Sequence, residues 1–404
     1  MQYKLTSEGE RRLADFVQGV GGVLANKKRR ESFACYAMGL LGDGDRKSTE
    51  PIAARACPDP EEVDALHQRL LHFIGKADWS DVDVRQYATR YALTPMTKHE
   101  AVDSWIIDDT GFLKQGTHSV GVQRQYTGSA GKIANCQIGV SLCVATSREQ
   151  LPIDFELYLP KSWAEDPARR LEAHIPKEVQ FKTKIELAID MLRRAIKANI
   201  PRGVLLADSF YGDVAAFRRE ARKLGLDYAV GVSSNIAVWQ VDKLGNRSDR
   251  IAVEEIAAET RRTSRMVTWR EGTKRALSAR FAMRRVVPCH YDGVPASKRE
   301  AVWLVIEWEE GKKEPVHYFS SLPLETTRKQ LVRIIKQRWR TEQAYQEMKG
   351  ELGLDHFEGR LFRGWHHHVS VVLCCYAFVL AEKSGAFSPS GAGEALDGSE
   401  QDAA

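Results

Sequence analysis

The 404-residue chain lacks the features that mark secreted, membrane-spanning and phosphate-loop proteins. Its first residues, MQYKLTSEGE, do not have the basic and then apolar layout of a signal peptide. The longest apolar run, VSVVLCCYAFVLA at residues 369–381, is too short to cross a bilayer comfortably, so it predicts a buried helix and no membrane partner. The glycines at residues 116–131 lie among predicted strands and do not form a phosphate-cradling loop that opens a helix.

Paired cysteines and metal-ligand spacings are also missing. The seven cysteines are an odd number without metal spacing, which predicts reduced thiols in a cytoplasmic protein. The tract HHH at residues 366–368 is not expected to bind a metal ion. Consecutive helical residues point about 100° apart, so their three rings cannot converge on one ion.

The composition is that of an ordinary soluble protein, with 43% hydrophobic and 28% charged residues, and the length allows two or three domains. The net charge of +5 is unevenly distributed, because residues 260–285 contain nine basic residues and one acid, a local charge of +8. Trp269 and Phe281 lie within this run. The pattern predicts a polyanionic partner such as nucleic acid, and a solvated arginine-rich hairpin is the alternative.

The hydrophobic pattern divides the chain into helical and strand-rich parts. Apolar residues recur at three- and four-residue spacing before residue 95, and they alternate with polar residues near 136–142 and 153–159. A helix, a short strand that ends at Asp208, another helix and the strand YAVGV follow. Three meandering strands followed by helix, strand, helix and strand predict an α/β fold with an RNase H-like core, in which the first and fourth strands are neighbours.

Five segments follow from these changes in pattern. They are an N-terminal helical domain expected to bind DNA (residues 1–95), the first part of the RNase H-like core (96–232), a β-rich basic insertion (233–320), the C-terminal helical part of the core (321–384), and an acidic tail whose composition predicts disorder (385–404).

Three acids are the candidates for chemistry. Asp109 and Asp208 each end a predicted strand, and Glu342 lies in the helical stretch LVRIIKQRWRTEQAYQEMKGELGL. Residues 335, 338, 342, 345 and 349 of that stretch follow steps of three and four and share one helical face. Burying an arginine, a glutamate and a lysine on one face is costly unless they pair or bind an ion. A surface pair of Arg338 and Glu342 is the simpler alternative.

The motifs Asp109-Thr110, Asp208 and RWRTEQAYQEMK resemble the DDE transposases of the IS4/IS701 group. Their signature is Tyr, two residues, Arg, three residues, Glu, six residues, Lys. Arg338, Glu342 and Lys349 fit this spacing, whereas Ile335 occupies the Tyr position. Similarity to the IS701 branch extends over most of the chain, through the segments LLGDGDRKS, GVQRQYTGSAGKIANCQ, LGLDHFEGR and GWHHH.

The resemblance implies a metal site formed by Asp109, Asp208 and Glu342, with two Mg²⁺ ions and Mn²⁺ as a substitute. Magnesium prefers oxygen ligands, and two ions can activate the nucleophile and stabilise charge on the attacked phosphate. Alignment to the Asp-Thr of these enzymes favours Asp109 as the ligand. Strand alternation points the neighbouring Asp108 to the opposite side, where it is expected to bond a turn or a neighbouring lysine.

The resemblance also implies contacts with DNA. Arg338 and Lys349 are expected to bind phosphates near the element's end. Among four tryptophans of the insertion, at 239, 269, 303 and 308, Trp269 is the candidate for stacking on a flipped base because its setting is basic, although a core position is the alternative. The further candidate DNA contacts are Tyr345, Arg270, Lys114 and Arg124.

The predicted function is cut-and-paste DNA transposition, with Mg²⁺-dependent cleavage at terminal inverted repeats and strand transfer into target DNA. A homodimer on double-stranded DNA is expected, because two element ends must be held together. Two alternatives stay open at this point. One is a transposase-derived nuclease without strand transfer, and the other is a catalytically inactive DNA-binding protein.

Overall fold

A computed structural model describes residues 7–242, 247–271, 276–289, 295 and 298–386. The N-terminal part is helical, as predicted. Helix α4 shows why the sequence folds this way, because Asp59 accepts a hydrogen bond from the Glu61 amide and Pro60 occupies the first turn. The five helices are α1 (Ser7–Val23), α2 (Lys27–Leu41), α3 (Thr49–Ala56), α4 (Pro60–Gly75) and α5 (Asp81–Met96).

The central sheet confirms the RNase H-like core. Three antiparallel strands come first, and two later strands continue the sheet parallel to the first one. The first strand lies between the second long strand and the first parallel strand, as the sequence predicts. These strands are β1 (Ser104–Leu113), β3 (Lys132–Ala145), β4 (Gln150–Tyr158), β5 (Val204–Ala207) and β6 (Tyr228–Val232), with the short β2 (Gln123–Thr127) beside β3.

Helices between these strands cover the sheet. The longest begins at a capping box in which Thr183 and Glu186 satisfy each other's backbone amides. It packs on strands β3 and β4 and brings its first residue, Lys184, to the end of β1. The helices of this part are α6 (Lys161–Ala164), α7 (Pro167–Glu172), α8 (Lys184–Lys197), α9 (Ser209–Gly212) and α10 (Ala215–Lys223).

The β-rich segment after β6 extends the same sheet. Its last strand pairs with β6, so core and insertion strands form one sheet of twelve strands. A hairpin carries most of the basic run that the sequence singled out, and residues 272–275 at its turn lie outside the described residues. The elements are β7 (Ala237–Val241), β8 (Arg247–Ala252), α11 (Val253–Thr260), β9 (Arg265–Glu271), β10 (Ala276–Pro288), β11 (Val302–Trp308) and β12 (Val316–Ser320).

The C-terminal part contains α12 (Arg328–Ile335), α13 (Trp339–Leu352) and α14 (Phe362–Ala386). The single helix expected across residues 335–349 is interrupted, because residues 336–338 form a 3₁₀ turn between α12 and α13. The turn lets α12 pack against the insertion side of the sheet while α13 contacts β1 and β4. Arg338 lies in the turn and therefore precedes α13.

Helix α14 contains the apolar run that the sequence predicts to be buried, and this prediction is confirmed. Within the described residues, Phe362–Gly385 is the one helix long and apolar enough to span a membrane, and 94% of its most apolar window is buried inside the protein. Such a core helix meets the length criterion without any bilayer. All seven cysteines are free.

The predicted segment boundaries fall near element ends, since α5 ends at Met96 and β6 ends at Val232. The acidic tail predicted from residue 385 begins inside α14, and its remainder, from residue 387, lies outside the described residues.

Candidate active site at the end of the central strands

Strand β1 presents its two aspartates to opposite faces of the sheet, because side chains alternate along a strand. Ile106 belongs to a hydrophobic cluster with Leu331 and Ile335 of α12, whereas Ile107 belongs to the main core. Two residues further along, Asp108 shares the face of Ile106, and Asp109 shares the face of Ile107. Asp108 is therefore on the side of α12 and α13.

Asp108 is nearly buried and is bonded to an arginine. Its carboxylate accepts hydrogen bonds from the guanidinium of Arg338, with Nη1 at 2.9 Å, and from the backbone amide of Asp109 at 2.8 Å. Burial raises the pKa of Asp108 to about 7, because desolvation and the nearby carboxylates of Asp208 and Asp109 outweigh the charge of Arg338. Of the two partners expected from the sequence, a turn or a neighbouring lysine, the lysine is not found among the described residues, and an arginine takes its place.

Asp109 is held from the other face. Lys184 donates to its carboxylate at 3.0 Å, and the Tyr211 hydroxyl donates to the same oxygen at 3.4 Å. The Lys184 ammonium also lies 5.0 Å from the ring centroid of Phe210. The lysine contact that the sequence suggests for Asp108 thus belongs to Asp109.

Asp208 follows β5 and caps the short helix α9. Its carboxylate accepts from the amides of Phe210 at 3.0 Å and Tyr211 at 3.4 Å. Because β5 is parallel to β1 and Leu206 is paired with Ile106, Asp208 follows β5 at the level of Asp108. Burial raises the pKa of Asp208; the charge of Arg338 opposes this shift, and the charge of Asp109 adds to it.

Glu342 lies in the first turn of α13, and its side chain is 53% exposed. Its carboxylate accepts from Arg338 Nη2 at 2.8 Å. Arg338, whose side chain is 33% exposed, therefore connects Glu342 with Asp108 through its two terminal nitrogens. The Arg338–Glu342 pair expected as the simpler alternative is present, and Arg338 additionally bonds to Asp108 of strand β1.

The carboxylates have the chemistry of a hard-cation site, although they do not converge closely. Among the described residues, no group of three His, Cys, Asp or Glu side chains is arranged to hold a metal ion. Asp108 and Glu342 instead share one positive group, the Arg338 guanidinium. These carboxylates supply the negative charge and the oxygen ligands that Mg²⁺ prefers.

Two lysines predicted to bind DNA, Lys349 and Lys114, are turned toward the protein. Lys349 donates to the Thr110 hydroxyl at 2.9 Å and to the Gly111 carbonyl at 2.8 Å. Lys114 donates to the carbonyl of Phe357, and burial lowers its pKa. Lys349 contacts the end of β1 from α13, so it lies beside the aspartate pair.

Tyr345 differs from its prediction. Its side chain is buried, its hydroxyl lies 2.5 Å from the Ser141 hydroxyl, and its ring packs edge-on against Phe155. A residue whose hydroxyl and ring are both engaged in the core does not present a surface to DNA. We therefore treat Tyr345 as a core residue that supports α13 against the sheet.

The aromatic residues of the basic hairpin are also engaged. Trp269 packs edge-on against Phe281, and the Lys336 ammonium lies 4.7 Å from its ring centroid. The role of Trp269 in stacking a base stays a prediction. Arg270 is exposed and lies 5.1 Å from the ring of Trp339, and Arg124 is exposed on β2.

Two site residues escaped the sequence reasoning. Trp339 is 38% exposed at the start of α13 and lies between the guanidiniums of Arg270 and Arg340. Lys184 has no motif that connects it with Asp109. The dipeptide Arg-Trp before the glutamate could have drawn attention to Trp339, whereas only the packing of α8 on the sheet brings Lys184 to β1.

The three consecutive histidines have separate partners. His366 lies 3.4 Å from the Glu156 carboxylate, His367 bonds to the carbonyls of Ile74 and Trp79, and His368 bonds to the Tyr36 hydroxyl at 2.9 Å. These rings connect α14 with the N-terminal helices and with β4.

The sequence of this chain is similar to those of known protein families. The profile of a family described as "DDE superfamily endonuclease" matches residues 16–276, and that of a family described as "Transposase DDE domain" matches residues 177–378. A relative from Microchaete diplosiphon, named "Probable transposase for insertion sequence element IS701", is 26% identical over 222 residues. The match covers 55% of this chain and 53% of the relative, so the chain spans about half of the relative's length.

Proposed function

Because the chain belongs to the DDE superfamily of endonucleases and transposases, we propose that it is a DNA transposase. It cuts DNA at terminal inverted repeats and joins the freed 3′-hydroxyls to target DNA. One observation carries the proposal beyond family membership. Asp108 and Glu342 meet at one guanidinium, and the charge of that guanidinium also acts on Asp208.

Asp208 and Glu342, with an aspartate of β1, are the residues that would hold divalent cations, two Mg²⁺ in the native reaction and Mn²⁺ as a substitute. When bound, such ions stabilise charge on the attacked phosphate and activate a water or 3′-hydroxyl. The protein's own contribution is to position these carboxylates on rigid strands and one helix. The sequence predicts that Asp109 is this metal-binding aspartate. Asp108 is the better-supported candidate, because its side chain lies on the face of the sheet that Arg338 and Glu342 occupy.

The cations around the site bind and orient DNA. We expect Arg338 and Lys349 to contact phosphates on either side of Glu342, because they precede and follow it in the sequence. Arg270 and Trp339 form an exposed basic and aromatic surface beside α13. The N-terminal helical region, residues 1–95, and the insertion would recognise the ends. The active form is a homodimer on DNA, because cutting and joining require both ends at once.

The carboxylate assignment is tested with purified protein, Mg²⁺ and a plasmid that carries the gene with its flanking DNA. We expect Asp208→Asn and Glu342→Gln each to lower cleavage by roughly 10³-fold or more, because each removes a charged ligand while retaining side-chain volume. Gel-shift binding to the same flanking DNA should be retained. Glu351→Gln is the matched control, since Glu351 is an exposed acid on the same helix. Cleavage by Asp208→Asn at the unaltered rate would refute the proposal.

The same assay with an added target plasmid separates the alternatives. Products in which element ends are covalently joined to the target support transposition. Cuts without joined products would identify a nuclease that has lost strand transfer. Retained binding with neither product would identify a catalytically inactive DNA-binding protein.

A further inference from the structure

Arg338 occupies the position in which a cation shared by Asp108 and Glu342 would be bound. Its two terminal nitrogens lie 2.9 Å and 2.8 Å from oxygens of these carboxylates, so one guanidinium neutralises both acids. Asp208 experiences the same charge, because Arg338 opposes the shift that burial causes in its pKa. The positive group at the centre of the carboxylates therefore belongs to the protein itself.

Arg338 opposes the binding of a divalent cation at the same two carboxylates. The guanidinium already donates to one oxygen of each acid, and two positive groups a few ångströms apart repel each other strongly in a partly buried site. Metal binding and the Arg338 contacts therefore compete.

Arg338 is also placed to move. It lies in the 3₁₀ turn between α12 and α13, and a third of its side chain is exposed. Its long side chain can rotate toward solvent without a change in the packed helices. A phosphate offers the guanidinium the bidentate contact that it has with carboxylates here.

We infer that Arg338 is a gate on the carboxylate site, which blocks divalent cations in the absence of DNA and opens when a DNA phosphate takes over its guanidinium. The inference rests on the proposed function and adds its regulation: metal binding is coupled to DNA binding, so carboxylates without DNA remain inactive. It also identifies Asp108 as the β1 aspartate that receives the cation. Asp109, held by Lys184 and Tyr211, is a positioning residue on the opposite face.

The gate is tested by Mn²⁺ titration of the full chain without DNA, with free Mn²⁺ measured by electron paramagnetic resonance. We expect Arg338→Gln to bind Mn²⁺ about tenfold more tightly than the unaltered protein, because a positive charge beside the site is removed. Lys184→Gln is the matched control, since it removes the corresponding cation from Asp109, and it should tighten Mn²⁺ binding much less than Arg338→Gln, because Lys184 does not contact Asp108 or Glu342. Tighter binding by Lys184→Gln alone, by both variants equally, or by neither would overturn the inference.

Two further measurements identify the aspartate that binds the cation and test whether DNA opens the gate. Adding Asp108→Asn to Arg338→Gln should abolish the tighter binding, whereas adding Asp109→Asn should not; the reverse result contradicts the inference. A duplex taken from the DNA flanking the gene should raise the Mn²⁺ affinity of the unaltered protein and leave that of Arg338→Gln nearly unchanged. If the duplex has no effect on the unaltered protein, DNA does not open the gate.

Folding and function are separated from the gate by two controls. Thermal unfolding followed by circular dichroism verifies that each variant is folded, and Arg338→Lys serves if Arg338→Gln is not. A lysine retains the charge but cannot connect both carboxylates in the same way, so intermediate Mn²⁺ affinity is expected. Mn²⁺ binding that follows these rules in a protein that never cuts DNA would refute the proposed function and leave the gate intact.

Discussion

Two regions of the molecule contain clustered buried charges, and they differ in how those charges are satisfied. In the first, a closed network connects α5, β4, α8 and α14, and Arg85 and His366 are its most deeply buried members. Arg85 donates to Asp81 at 2.6 Å and lies 3.4 Å from Asp154, which also accepts from Arg194 at 2.8 Å. In the second, the candidate active site, Arg338 connects a nearly buried aspartate with an exposed glutamate.

The difference shows how burial separates a structural charge from a functional one. The closed network continues from Arg194 to Glu156 and from Glu156 to His366, so its described members have partners within the protein. Its three nearly buried members, Arg85, Asp154 and His366, are not accessible to a ligand that could replace their partners. At the active site, one end of each contact reaches solvent, so a phosphate or a divalent cation can replace the protein's own partner.

The largest effect expected from this contrast concerns stability. Asp154→Asn should lower the free energy of unfolding by roughly 3–5 kcal/mol, because it leaves the buried Arg85 guanidinium without one of its carboxylates. The matched change Glu342→Gln should alter it by no more than about 0.5 kcal/mol, since the exposed pair contributes little. Urea unfolding of both variants measures the two values. Equal losses would show that the active site is as closed as the network.

A smaller effect concerns pH, and its sign at two buried histidines of α14 that lie outside the closed network is opposite to its sign at Asp108 of the active site. Burial lowers the pKa of His367 and His368 to about 4, below the ordinary 6.5, so the unfolded chain binds more protons and stability is lost as pH falls from about 6.5 toward 4. Burial raises the pKa of Asp108 to about 7, above the ordinary 3.8, so the folded chain binds the additional proton and stability is gained as pH falls through 7.

Removing Asp108 should therefore expose the histidine effect. We expect Asp108→Asn to lose more stability than the unaltered protein between pH 7 and pH 5, by an amount on the order of 2 kcal/mol. Urea unfolding at the two pH values gives the comparison. An equal loss in Asp108→Asn and the unaltered protein would mean that Asp108 stays ionised in the folded protein throughout this range.

The smallest effect concerns DNA affinity. Lys349→Met should weaken binding to flanking DNA only a few-fold, but it should reduce the slope of log affinity against log salt by about one, because one phosphate contact is lost. Lys383→Met is the control and should leave the slope unchanged. It removes a lysine of α14 that is paired with Glu149. An unchanged slope in Lys349→Met with a lower melting temperature would assign Lys349 to the structure of β1 alone.

Most helices and strands of the fold were predictable from the sequence, whereas the contacts between them at the candidate site were not. Strand alternation and helical spacing predict β1, β3, β4, α8 and α14, because an element that buries one face repeats apolar residues at a period that is visible in the local sequence. The single helix expected through residue 338 is instead two helices joined by a turn. That turn forms because α12 and α13 pack on different parts of one sheet, a condition that no local pattern contains.

The sequence by itself determined the residue types of the site, the RNase H-like order of strands and the family, because these depend on spacing along the chain. Tertiary structure alone decided which aspartate of the pair faces Glu342, since adjacent strand residues point to opposite faces and only the packing of α12 and α13 distinguishes those faces. It likewise decided that Arg338 bonds to Asp108 and that Lys184 bonds to Asp109. Contacts across such long separations arise when the sheet and its helices assemble.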